Sequence, residues 1–142
     1  MSRIFWDSNL FVYLFKDYGK HSQEVAELRE KMLERGDQLL TSTLTIGEIL
    51  TKPQSLGQSL ACEEYEDAIR STAIVVDFDL SAARNYAKLR GQINRKIQPP
   101  DAIQLACAAT ARVDLFLTND KHLHNLRVDG IQFIVSVDRA PI

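Results

Sequence analysis

Short apolar runs that stop at a polar or acidic residue alternate along this chain with stretches whose apolar positions recur every three or four residues. Runs of the first kind read as buried strands and those of the second as amphipathic helices. Arg3 to Trp6 is a strand candidate closed by Asp7, and Ser8 is placed to cap a helix carrying Leu10, Phe11, Leu14 and Phe15. Lys16 to Lys20 reads as a loop; Val25, Leu28, Met32 and Leu33 then keep helical spacing until Gly36. Gln38 to Ser42 is the second strand candidate. Leu44 to Leu50 is a short helix containing Glu48, with Pro53 expected to block its extension and Gln54 to Ser59 expected as loop.

Leu60 to Arg70 reads as helix and Ala73 to Val76 as a strand. Ser81 is placed to cap a helix carrying Ala82, Ala83, Tyr86, Leu89 and Ile93. After Gln98-Pro99-Pro100, with Pro100 expected as the first helical residue, Asp101 falls in a first turn and Ala102 to Ala111 continues the helix. The alanines let that helix approach a sheet closely, so it should be among the most buried. Leu115 to Leu117 and Ile131 to Val135 complete five strand candidates. Strands alternating with helices predict a mostly parallel sheet in a three-layer α/β/α sandwich. No repeat, low-complexity segment or linker divides residues 1–142, so a single domain is expected.

With 142 residues and 45% hydrophobic content, the chain can bury one full core. Cys62 and Cys107 form neither a CxxC pair nor a disulfide-dense pattern, which predicts reduced, packed thiols. The N-terminal stretch reaches Asp7 without a signal-peptide core, and no apolar run is long enough to cross a bilayer, so a cytoplasmic protein without membrane contact is expected. A net charge of -2 does not decide the substrate, because an acidic cluster lowers net charge and can mask a basic rim elsewhere.

Charge matters more at four positions. Asp7, Asp101 and Asp120 stand at strand ends or helix starts, and Glu48 lies in a short helix. Ligand sites of parallel sheets gather beyond the carboxyl ends of the strands. If the four converge, two carboxylates about 4 Å apart repel by roughly 4 kcal/mol at an effective dielectric near 20, and a divalent cation relieves that. The all-oxygen donor set suits Mg²⁺, or Mn²⁺ in its place, better than zinc. Such ions activate water and stabilise a departing phosphate-ester oxygen, which points to a metal-dependent nuclease. Each acid also has a structural explanation at a helix N-terminus, and Thr45-x-x-Glu48 fits a capping box.

Ser8 and Thr118 carry hydroxyls that could orient those carboxylates or a metal-bound water, or equally cap turns; Asn9 and Asn119 offer amides that can fix these turns or touch a phosphate, the structural role ranking first for Asn9. Lys52, Arg90 and Lys121 are RNA-contact candidates, drawn from a basic set that includes Arg84, Lys88, Arg95 and Lys96, although a charged helix face is often simply solvated. His21, His122 and His124 accompany no nucleophile motif and receive no catalytic role.

The segments WDSN at Asp7, TIGEIL at Glu48, PPDAIQLACA at Asp101 and LTNDKHL at Asp120 together resemble the PIN-domain family, especially the VapC-type toxins of bacterial toxin–antitoxin pairs. The likeness runs over nearly the whole chain. It implies a parallel sheet in the order 3-2-1-4-5. It also implies an acidic pocket in which Asp7 and Asp101 are the principal metal ligands, Glu48 and Asp120 complete the site directly or through water, and Asn119 lies beside it. A homodimer held by helices and a small antitoxin partner are further implications. Trp6, bulkier than the usual aliphatic residue, and His122-Leu123, in place of an acidic-aromatic pair, depart from the pattern without removing a candidate ligand.

The expectation is therefore a Mg²⁺- or Mn²⁺-dependent ribonuclease that cleaves RNA by metal-activated water. The alternative is a catalytically silent binding module whose acidic pocket holds a cation or a partner's basic side chain. A receiver-like or phosphoryl-transfer domain ranks third, since Asp7-Ser8-Asn9 supplies one acid where adjacent acids are wanted.

Overall fold

A computed structural model describes residues 1–92 and 97–142. Strands β1 (Arg3–Trp6), β2 (Gln38–Ser42), β3 (Ile74–Val76), β4 (Val113–Leu117) and β5 (Ile131–Val135) form one sheet in the order β3-β2-β1-β4-β5. Every pairing in it is parallel. The helices are α1 (Ser8–Phe15), α2 (Lys20–Arg35), α3 (Thr43–Ser55), α4 (Ser59–Thr72), α5 (Leu80–Gln92) and α6 (Pro99–Ala111).

Successive strand residues point to opposite faces, and that alternation splits the interior into two cores. Ile4, Trp6, Leu39, Leu115 and Leu117 meet Leu10, Phe11, Val25, Leu28 and Met32 of α1 and α2. Phe5, Leu40 and Phe116, on the opposite face, meet Ala102, Leu105 and Ala106 of α6 and Ala82 and Leu89 of α5. The result is a three-layer α/β/α sandwich. The chain builds β1, β2 and β3 outward in one direction, then returns through α5 and α6 to place β4 on the other side of β1. The sheet therefore reverses its winding between β1 and β4, the place beyond the carboxyl ends of both strands where parallel sheets bind ligands.

Trp6 is accommodated because it is fully buried in the first core, its ring 5.2 Å from that of Phe11. Cys62 and Cys107 are free and buried, and burial pushes the Cys107 thiol up to about 12, aided by Asp79 and Asp77. Gly36 ends α2 in the left-handed conformation at φ 72°. Gly130 leads into β5 at φ +96°, where an added Cβ would lie 2.4 Å from the Ala109 carbonyl oxygen, so only glycine fits.

Several local expectations are corrected. Ser8 is not the cap of α1 but its first residue; Asp7 is the N-cap, its carboxylate accepting the Ser8 N–H. Ser81 likewise lies inside α5, and Asp79 accepts the Ala82 N–H at 2.9 Å in the capping role. Helix α3 runs through Pro53 to Ser55, because a proline near a helix end forfeits one hydrogen bond without stopping the last turn. The stretch expected as loop before α4 shrinks to residues 56–58. Pro99, not Pro100, opens α6, and β4 starts two residues early at Val113. Ile93, Arg95 and Lys96 lie outside the described residues.

Candidate active site

Asp7 follows the central strand and is 6% exposed. Its own N–H donates to the Leu117 carbonyl at 3.1 Å, which carries the β1–β4 ladder one residue past the strand. One carboxylate oxygen accepts the Ser8 N–H at 2.7 Å, and the other accepts the Thr118 hydroxyl at 2.9 Å. The side chain is thus held from the ends of both β1 and β4. Burial raises the Asp7 pKa, Thr118 and the Ser8 N–H pull against that rise, and the Asp120 charge adds to it.

The fully buried Thr118 joins two acids, since the hydroxyl that donates to Asp7 accepts the Asp120 N–H at 3.1 Å. The Asp120 carboxylate in turn accepts the His122 N–H at 3.0 Å and caps a short 3-10 turn, Lys121–Leu123. His124 Nε2 lies 2.7 Å from the Thr118 carbonyl oxygen, so it braces the end of β4. Leu123 is buried in the α6-side core while His122 is exposed.

Glu48 projects from α3 at an exposed position. Loss of hydration raises its pKa, the Ser8 hydroxyl opposes the rise by hydrogen bonding, and Asp7 reinforces it. Asp101, half-buried in the first turn of α6, is pushed up to about 6, chiefly by burial and then by the charges of Asp7, Asp120 and Glu48. Four carboxylates from distant parts of the chain thus feel one another at a single place.

Sequence reasoning missed the polar core beneath them. Thr41, Ser42, Thr45 and Gln104 are buried, Gln104 at 2% exposure. Gln104 Nε2 donates to Thr45 Oγ1 at 2.8 Å, and Gln104 Oε1 accepts the Ser42 hydroxyl. Thr45 is therefore the third residue of α3 and not the start of a capping box; Ser42 holds the N-cap position. The available signal was a lone glutamine in a helix otherwise built of Ala, Leu, Ile and Cys around it.

The remaining candidates separate by position. Asn9 is exposed on the first turn of α1, and Asn119 is half-buried between Thr118 and Asp120. Lys52 lies one turn beyond Glu48 on α3, and Lys121 follows Asp120; both are exposed. Arg90, on α5, is exposed as well, and its Nη1 donates to the Ile97 carbonyl, which leaves its charge and its other donors in place.

The PIN domain profile matches residues 4–129. This chain belongs to the PIN domain family. None of the curated proteins matches it. Among solved structures, the PIN domain resembles VapBC2 from Rickettsia felis bound to a DNA fragment from their promoter, at 16% identity and TM-score 0.73, over 94% of this chain and 98% of that one. It also resembles DNA-bound VapBC from Salmonella typhimurium, at 22% identity and TM-score 0.71, over 96% and 99%. A toxin-antitoxin complex from Klebsiella pneumoniae aligns at 23% identity and TM-score 0.62, over 90% and 94%. At these identities the likeness establishes a shared fold.

The donor chemistry of this PIN domain fits a hard divalent cation. Burial, reinforced by the charges of Asp7, Asp120 and Glu48, keeps Asp101 protonated above the ordinary carboxylate range. Among the described residues, however, no three His, Cys, Asp or Glu side chains stand in ready coordinating geometry. Magnesium needs no such cage, since it is commonly held by one or two carboxylates and keeps several waters. Asp7, Glu48, Asp101 and Asp120 are the carboxylates here that could serve in that way.

The raised pKa values make the metal-free PIN domain sensitive to pH in a definite direction. Between the ordinary Asp value of 3.8 and about 6, the unfolded chain has lost an Asp101 proton that the native state retains. Stability from this group is complete below that window and is lost as pH rises through it. In chelator, Asp101→Asn is expected to remove this decline. At neutral pH the variant should exceed wild type by about 1–2 kcal/mol, a figure reduced for solvent screening. Thermal melts of both proteins across this range check it, and identical pH slopes would refute the assignment.

Proposed function

We propose that this PIN domain is a Mg²⁺- or Mn²⁺-dependent endoribonuclease and the toxin of a toxin–antitoxin pair. The observation that carries this reading is the convergence of Asp7, Glu48, Asp101 and Asp120 at the point where the sheet reverses its winding. Family membership supports nuclease chemistry, and the toxin–antitoxin complexes among its structural neighbours support a small antitoxin partner. A homodimer and a cytoplasmic location complete the proposal. Among the described residues, no helix is long and apolar enough to cross a membrane.

Asp7 and Asp101 would hold the cation, with Glu48 and Asp120 completing its surroundings directly or through water. When bound, the cation supplies Lewis-acid stabilisation of charge on the phosphodiester oxygens. The chain's own residues fix the geometry around it. The Ser8 N–H and the Thr118 hydroxyl restrain the Asp7 carboxylate, and the Ser8 hydroxyl faces Glu48. Asn9 and Asn119 flank these carboxylates in the chain, and the exposed Lys52, Arg90 and Lys121 are candidate contacts for RNA phosphates. Water adds to phosphorus while the 3′ oxygen leaves with a proton, so the products carry 5′-phosphate and 3′-hydroxyl ends.

The test is cleavage of a mixed cellular RNA pool by wild-type and Asp101→Asn protein, with Mg²⁺, with Mn²⁺ and with chelator, followed by end mapping. Metal-dependent cuts with 5′-phosphate ends, absent from the variant, are expected. Ends bearing 2′,3′-cyclic phosphate would rule out attack by water. A catalytically silent binding module is favoured by one observation, the lack of three acids in coordinating geometry among the described residues. Absence of cleavage by folded protein under every condition would select that reading.

A further inference from the structure

We propose that Gln104 is a positioning residue of the acidic site, its side-chain amide clamping α6 to α3 so that Asp101 and Glu48 are held opposite each other. The proposal rests on the reading of the site as a cation-binding centre.

The argument begins with helix geometry. Residues three apart in a helix share a face, about 5–6 Å between Cβ atoms. Gln104 is three residues beyond Asp101 on α6, and Thr45 is three residues before Glu48 on α3. The bond from Gln104 Nε2 to Thr45 Oγ1, 2.8 Å, joins the two helices one turn away from each acid. A step forward on α3 and backward on α6 from that bond leads to Glu48 and Asp101. The mutual influence of their charges agrees with this placement.

The clamp extends beyond the two helices. Gln104 Oε1 accepts the Ser42 hydroxyl, which ties α6 to the end of β2. The Thr41 hydroxyl donates to the Trp6 carbonyl at 2.9 Å and also lies 2.8 Å from Thr45 Oγ1. One hydroxyl has one proton, so Thr45 is the donor in the Thr45–Thr41 bond. The proton order then runs without conflict from the Gln104 amide to Thr45, to Thr41 and to the carbonyl of Trp6, the residue before Asp7. This single buried chain touches α6, α3, β2 and β1, the elements that carry or adjoin Asp101, Glu48 and Asp7. Hydrogen bonds are directional and set the rotation of each helix about its axis, which apolar packing controls less sharply.

A merely structural role is separated from positioning by two variants. Gln104→Met leaves the Ser42 hydroxyl without its acceptor and Thr45 Oγ1 without its donor in the interior, so both stability and site geometry should suffer. Ser42→Ala/Thr45→Val/Gln104→Met removes Gln104 with both side chains it bonds, while Thr41 keeps its own bond to the Trp6 carbonyl, and replacing both sides of a buried hydrogen bond with apolar groups of similar shape is close to neutral for folding. Mn²⁺ binding is measured by titration followed by electron paramagnetic resonance of the free ion, alongside thermal melts in chelator. Wild type should bind Mn²⁺ and Gln104→Met about tenfold more weakly, the scale of effects seen when groups supporting metal ligands are removed. The triple variant should regain the wild-type melting temperature but not the affinity. Affinity that returns with the melting temperature, or Gln104→Met that binds like wild type, would overturn the clamp alone. Wild type that binds no Mn²⁺ would overturn the cation-site reading, and the clamp with it.

Discussion

Asp7→Asn protein is expected to fold, to melt in chelator at or above the wild-type temperature near neutral pH, and to cleave RNA about 10³-fold more slowly, a loss near 4 kcal/mol of transition-state stabilisation. Asparagine and aspartate are equally good N-caps, so a residue that only capped α1 would tolerate the change. The asparagine oxygen can accept the Ser8 N–H as the carboxylate does, and its amide can face Thr118 once that hydroxyl turns. What disappears is a buried negative charge whose pKa desolvation has already raised. Removing it relieves the fold and, on the proposed function, deprives the cation of its most buried ligand. Single-turnover cleavage in Mg²⁺ and melts in chelator measure the two effects separately. Undiminished cleavage would take Asp7 out of the chemistry, whereas a large fall in melting temperature would make it chiefly a cap.

Phe116→Ala is expected to cost about 3–5 kcal/mol in urea unfolding, as for other large-to-small changes in a packed core. Phe116 and Phe5 are fully buried and stand opposite each other in the β1–β4 pairing. Their rings stack 5.2 Å apart and 8° from parallel, beneath α6. Alanine there leaves a void under the helix that carries Asp101, and two residues from both Thr118 and Asp7. Phe116→Leu retains most of the volume and should lose less. A cost below about 1 kcal/mol for the alanine variant would show that the stack contributes little or that the core collapses around the gap.

The contrast between these residues marks how much was legible beforehand. All five strands announced themselves as apolar runs, and Asp7 and Asp120 could be placed at strand ends because a strand must stop where its chain turns. The neighbouring hydroxyls were visible too, but not which carboxylate each would hold: the Thr118 hydroxyl holds Asp7, while Ser8 gives its backbone N–H to Asp7 and its hydroxyl to Glu48. The extent of α3 was misread because proline's local penalty was given precedence over the packing that carries the helix past it. The pairing of Gln104 with Thr45 was not legible because their bond spans 59 residues of sequence, and the local context of Thr45 offered a capping role instead.

By itself, then, the sequence determined the elements, the alternation that makes the sheet parallel, and the residue types available for chemistry, since these depend on local propensity and on the periods of apolar positions. The order that sets β1 beside β4 was implied by the family resemblance and is the order found; only the tertiary structure decided that the Thr118 hydroxyl joins Asp7 to Asp120 and that Gln104 bridges α6 to α3. Those outcomes follow from long-range packing and from the need of every buried polar group for a partner, neither of which is written in any short stretch of chain.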